Sequence, residues 1–148
     1  MLSFTKILEF AICDSSLLIR KLYNIHAKSL GLNVLDRRAL IHIYYRPELT
    51  QVELSQHLEI EAQNLIRVLD RLVDLGFIEK SQHPKDRRAK CLKVTVKGKK
   101  TLDELNQKVA VHYDEIFTNI DDETQKTLVF TLETLKDNLS RVLRQLDT

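Results

Sequence analysis

Tryptophan is absent from this chain of 148 residues, and glycine (3), proline (2) and cysteine (2) are scarce. Three isolated glycines cannot build a phosphate-cradling loop, so the Gly-rich nucleotide sites are excluded, and no nucleophile elbow or zinc-binding helix motif is present. The chain is therefore not expected to be an enzyme, and no cofactor is implied. Cys13 and Cys91 lie far apart and fit no metal-ligand spacing, which reads as reduced thiols in a cytoplasmic protein. His26, His42, His57, His83 and His112 form no ligand set with them either, so no metal is expected. No apolar run approaches the roughly 20 residues of a membrane span. Lys6 and Glu9 interrupt the opening residues, where a secretory signal would be basic and then apolar.

What is present is mostly helix-forming, with 43% hydrophobic and 30% charged residues. The net charge of +2 hides an asymmetry. Residues 61–100 hold eleven Lys and Arg against five Asp and Glu, whereas residues 101–148 hold five against ten. A basic island beside an acidic tail suggests one region that meets a polyanion and another that does not.

Apolar spacing divides the chain. Leu8, Ala11, Ser15, Leu18, Leu22 and Ile25 form one helical seam, predicting a helix over 4–29 closed by Gly31. A second helix is predicted over 35–45, stopped by Pro47. Thr50 followed by Glu53 is a capping-box pattern that opens a short helix over 50–58. A brief turn leads to a helix over 61–75, whose expected inner face is Ala62, Leu65, Ile66, Leu69, Leu72 and Val73. The period then changes to two. Residues 77–96 read as a hairpin with a charged tip at 81–88, Leu92, Val94 and Val96 facing in, and Cys91, Lys93 and Thr95 facing out. Further helices are predicted over 99–118 and 122–147. The last carries the seam Leu128, Leu132, Leu135, Leu139, Val142 and Leu146 and opens with Asp121 and Asp122 at its positive end.

A short capped helix, a brief turn and a longer amphipathic helix make a helix-turn-helix, whose second helix is the usual groove reader. Its polar face carries Gln63, Asn64, Arg67, Arg71 and Asp74. Asn and Gln can bond adenine through two hydrogen bonds, and Arg can do the same with guanine. The hairpin that follows carries Lys85, Arg87 and Arg88 at its tip, with Lys80, Lys90 and Lys93 along its strands. Such a wing can track phosphates and place an arginine in a narrow minor groove. Either feature alone is ordinary; their succession points to double-stranded DNA.

The stretch from Leu58 to Gly98 resembles the core of the MarR family of transcription regulators, and most closely its SlyA branch. The family pattern appears as Leu69-Asp70-Arg71-Leu72 with Gly76, then Asp86-Arg87-Arg88, then Val94-Thr95 with Gly98. The segments IRVLDRL and DRRAK point to the SlyA branch. The resemblance implies a mainly α fold with a small β-hairpin wing: a winged helix-turn-helix core over 35–98, flanked by dimerisation helices over 4–29 and 122–147, all within one domain over 1–148. It also implies roles. Arg67 is the major-groove base contact, Arg87 and Arg88 are the wing arginines, and Thr50 and Gln51 touch phosphate. Asp70 and Arg71 belong to a motif that is partly structural. Arg37 departs from the aromatic residue common in the family's second helix.

The seams of both terminal helices repeat every 3.5 residues, as paired long helices require. A homodimer would set two reading helices one helical turn of DNA apart, on a near-palindromic site. Family relatives commonly respond to small aromatic acids or phenols, and Tyr23, His26, His42 and Tyr45 are the candidates here to line such a cleft. The expected function is a repressor, or an activator that displaces a silencer. The alternative is an architectural or partner-binding winged helix indifferent to sequence, but phosphate contacts alone would not require Gln63, Asn64 and Arg67.

Overall fold

A computed structural model describes residues 3–82 and 90–146. The chain forms two compact units, Met1–Ala110 and Val111–Thr148.

The first unit opens with α1 (Phe4–Ser29), where the Ser3 side chain accepts a hydrogen bond from the Lys6 amide. The helix ends at Leu30, and Gly31 turns the chain with a φ of +76°, a conformation that favours glycine. Next comes α2 (Val34–Tyr45), opened by a capping box: Asn33 Oδ1 accepts from the Asp36 amide, and Asp36 Oδ2 accepts from the Asn33 amide. The short α3 (Gln51–Leu58) starts with the Thr50–Glu53 box that its sequence predicts. Then α4 (Ala62–Asp74) runs to a turn at Gly76, φ +72°. Strands β1 (Ile78–Gln82) and β2 (Lys90–Val94) pair antiparallel, with Ile78 opposite Val94 and Gln82 opposite Lys90. The unit closes with α5 (Val96–Ala110).

The core of this unit is one cluster. Ala39, Leu40 and Ile43 of α2 lie at its centre, meeting Leu54 and Leu58 of α3, and Leu65, Leu69 and Leu72 of α4. Ile78, Leu92, Leu102 and Leu105 complete it from the hairpin and α5. Leucine supplies most of these positions, consistent with its high helix propensity and large buried surface.

Four expectations need correction. Ala62, Ile66 and Val73 are exposed, because the buried row of α4 is Leu65, Val68, Leu69 and Leu72. That row keeps Leu65, Leu69 and Leu72 of the predicted face and adds Val68, so the i, i+3, i+4, i+7 stripe is turned toward Val68. Val96 is not a strand residue; it begins α5 and is exposed. Cys91 is buried rather than outward-facing. The single helix expected over 99–118 ends at Ala110, since the buried row Leu102, Leu105, Val109 is not continued and Val111 stands in solvent.

The second unit holds α6 (Tyr113–Ile116) and the long α7 (Asp122–Leu146). The Asp121 carboxylate accepts from the Thr124 amide at 2.8 Å. The Thr124 side chain, and then this amide bond, hold the Asp121 carboxyl below its usual value. No described residue of α7 is buried. Among the described residues, no helix is long and apolar enough to cross a membrane.

Candidate nucleic-acid interface

The helix α4 is held from two sides by charged side chains. On one side, Arg71 donates through Nε to Asp36 Oδ2 at 2.8 Å and through Nη2 to the Gly31 carbonyl at 3.2 Å. On the other, Lys80 of β1 donates to Asp70 Oδ1 at 2.8 Å. The adjacent pair Asp70-Arg71 therefore ties α4 both to the start of α2 and to the wing strand. Arg71, expected as a DNA contact, gives Nε and Nη2 to this brace while its side chain stays half exposed, and Lys80 pairs with Asp70.

The opposite end of α4 is unencumbered. Gln63, Asn64 and Arg67 are exposed, and none bonds or pairs with another described residue. They occupy the first two turns, while the braces sit in the last two. A helix clamped at its C-terminal half and bare at its N-terminal half can enter a major groove without breaking an internal bond.

Thr50 and Gln51 are half-buried at the start of α3. The Thr50 hydroxyl donates to Glu53 Oε2 at 2.8 Å and accepts from the Glu53 amide at 3.3 Å. The bonds from Thr50 hold the Glu53 carboxyl below its usual value. Of the wing residues, Lys85, Arg87 and Arg88 lie outside the described residues. Lys90 begins β2, and Lys93 is exposed.

The base of the wing is locked by Thr95 and Gly98. The Thr95 hydroxyl donates to the Gly76 carbonyl at 2.6 Å and accepts from the Gly98 amide at 3.1 Å. A Cβ at Gly98 would lie 2.2 Å from the Phe77 carbonyl oxygen and 2.8 Å from Val94 Cγ1. Only glycine lets α5 approach the strand so closely. The glycine and threonine singled out in the sequence thus fix the hairpin to α4 and α5.

A second feature of this unit is a cavity of about 240 Å³, lined by Ile19, Arg20 and Tyr23 of α1, Arg37, Ile41, Tyr44 and Tyr45 of α2, and Leu102 and Asn106 of α5. Of the four residues expected in a ligand cleft, Tyr23 and Tyr45 line this cavity, while His26 and His42 do not. His42 instead stacks on His57, with ring centroids 5.3 Å apart. Sequence reading missed Arg20, Arg37 and Tyr44. The spacing Arg37, Ile41, Tyr44 is one face of a helix and could have revealed two of them. Arg37 is buried, donates through Nε to Asn24 Oδ1 at 2.8 Å, and lies over the Tyr23 ring. Burial, with Arg38 and Arg20 close by, lowers its pKa from the ordinary guanidinium value.

A capped short helix, a braced second helix with a bare polar face, and a hairpin fixed at its base define a winged helix-turn-helix protein. Residues 30–89 match the model of the MarR family. Over 96 residues the chain is 29% identical to the HTH-type transcriptional regulator BilQ of Clostridium symbiosum (strain WAL-14163), covering 65% of this chain and 67% of that protein. Its fold is that of a MarR transcriptional regulator from Methanosarcina mazei Go1, with a TM-score of 0.75 and 22% identity over 93% of this chain and 99% of the other. A cysteine-to-serine mutant of MarR from E. coli, complexed with operator DNA, superposes with a TM-score of 0.66 and 26% identity over 91% and 99% of the two chains.

Proposed function

We propose that this chain is a transcription regulator that binds double-stranded DNA in a sequence-specific manner, as a homodimer on a near-palindromic operator. The observation that carries this is the bare face of Gln63, Asn64 and Arg67 on a helix clamped at its other end. These side chains carry the hydrogen-bonding groups that read adenine and guanine. Thr50 and Gln51 at the start of α3, and Lys85, Arg87, Arg88 and Lys90 of the wing, supply phosphate and minor-groove contacts. Arg71 positions the reading helix. The bound operator in the MarR relative supports the same use of the fold here, and the IRVLDRL and DRRAK segments support the SlyA branch.

The dimer rests on α1 and α7. Each is a long helix with a repeating apolar seam and almost nothing buried: Phe4, Phe10, Leu18 and Ile25 of α1 are exposed, as are Val129, Phe130, Val142 and Leu146 of α7. Apolar surface on this scale marks an association surface rather than a solvated one. A second copy of the chain is the occupant that the two-fold symmetry of operators requires.

The cavity at Arg37 supports modulation by a small aromatic acid. Tyr23 and Tyr44 offer ring surface, and a guanidinium retains N–H donors beyond the one given to Asn24. Either repression or displacement of a silencer follows from the same DNA contacts.

The test is selection of duplexes from a random pool by the wild-type protein and by Arg67→Ala. The wild type should enrich a two-fold motif. The variant should lose about 1–3 kcal/mol of binding and relax one base position in each half-site. An unchanged motif with unchanged affinity would refute the assignment of α4 as the reading helix.

A further inference from the structure

Ile66 is the residue of α4 whose position departs most from its chemistry. It is large and apolar, yet half of its surface is in solvent, at the margin between the buried row Leu65, Val68, Leu69 and Leu72 and the polar face. It sits one turn after Gln63 and immediately before Arg67. At 100° per residue its side chain leaves the helix about 60° round from Gln63 and about 100° from Arg67. Ala62, one turn earlier, is exposed on the same flank. The bare face of the helix is therefore not uniformly polar. Hydrogen-bonding groups fill its centre, and one flank is apolar.

Within a major groove, a single base-edge feature rewards an apolar side chain: the C5-methyl group of thymine. We infer that Ile66 reads a thymine methyl next to the bases contacted by Gln63 and Arg67, and so contributes a specificity element that hydrogen bonding does not supply. The inference rests on the DNA-reading role proposed for α4. An exposed Ile loses little by remaining in water when the protein is free, and gains only when it meets apolar surface. An alanine at 66 would cost the free protein only the half of the side chain that is already covered. Its exposed half gains only where the helix is covered, and its neighbours Gln63 and Arg67 point to base edges as the cover.

The experiment replaces each thymine of the duplex selected by the wild-type protein with deoxyuridine, one position at a time. This removes the methyl group and keeps every hydrogen-bonding group. The wild type should lose about fourfold in affinity at one thymine per half-site, the value of one buried methyl, and on the order of tenfold when both half-sites are changed. Ile66→Ala should bind the parent duplex correspondingly less well and be indifferent to uracil at that position, while still discriminating the base assigned to Arg67. Because only half of Ile66 is covered in the free protein, the variant should lose little stability and stay folded at the assay temperature. The inference is overturned if uracil at no position weakens the wild type, if the selected half-site contains no thymine, or if Ile66→Ala keeps the same uracil penalty. If the wild type enriches no duplex at all, the reading of α4 fails first, and this outcome is distinct from the others.

Discussion

Arg71, in the last turn of α4, donates its Nε–H to Oδ2 of Asp36, in the first turn of α2, across 2.8 Å. The carboxylate is fully buried, while the arginine side chain remains half exposed. The same oxygen accepts from the Asn33 amide and so also closes the capping box of α2. One carboxylate thus sets where α2 begins and how α4 lies against it. Its other oxygen, Oδ1, is buried without a hydrogen-bond partner among the described residues, which makes Oδ2 the more important of the two.

Removing either partner should therefore destabilise the fold. Asp36→Ala loses a cap and a charge-assisted bond, expected at about 2–4 kcal/mol. Arg71→Ala leaves a buried carboxylate with one donor fewer, expected at about 1–3 kcal/mol. Urea unfolding of both single variants and the double variant should give a coupling of about 1–2 kcal/mol. Purely additive losses would show that the pair is not a brace.

Gly98→Ala should be costly out of proportion to one methyl group. The added carbon meets backbone at Phe77, which cannot swing aside. A loss of about 1–3 kcal/mol or more is expected, as for other overpacked sites. The wing is anchored at the same point, so DNA affinity should fall with it. An unchanged melting temperature would contradict this packing.

Acid should weaken the contact between α2 and α3. His42 and His57 stack there; Arg46 donates to His57 Nε2, and Arg38 donates to the His57 carbonyl. An arginine can only donate, so His57 is neutral in this arrangement. Burial and then the charge of Arg46 lower the pKa of both histidines. His57 and Arg38 add to this for His42, while Glu53 pulls the other way on His57. With folded values below 6.5, the unfolded chain takes up protons first as pH falls. Stability contributed here is full above about pH 6.5 and is lost below it, until the lowered folded values are reached. Denaturation midpoints should drop between pH 7.5 and 5, and the drop should be smaller in His57→Gln. Equal drops in both proteins would contradict the assignment.

The wing arginines should act differently from Arg67. Arg87→Ala and Arg88→Ala should weaken binding evenly across sequences. The slope of log affinity against log salt should shrink by about one for each phosphate that is no longer neutralised. A change in base preference without a change in salt slope would make them base readers instead.

Much of this was legible in the sequence. The Thr50–Glu53 box, the helix over 4–29 and the hairpin follow from capping, spacing and period, all of which are local. The errors came from tertiary choices. Leu65 and Ile66 are adjacent and both apolar; which one turns inward depends on where α2 and α3 lie. Val96 continues the alternation of β2, but the Thr95 hydroxyl caps a helix at that point and ends the strand. Asp70 and Arg71 belong to a motif expected to be partly structural, but what they brace depends on partners 10 and 35 residues away in the chain. In the candidate cleft, tyrosine and histidine are interchangeable to a reader of composition. The cavity admits Tyr23 and Tyr45 and leaves His42 against His57.

The most direct test measures binding of the full chain to its selected duplex and to a shuffled duplex of equal length, across salt, with the stoichiometry determined. The account predicts a preference of about 10³-fold or more with two chains per duplex. Equal affinity for both duplexes, or one chain bound per site, would contradict a dimer that reads sequence through α4.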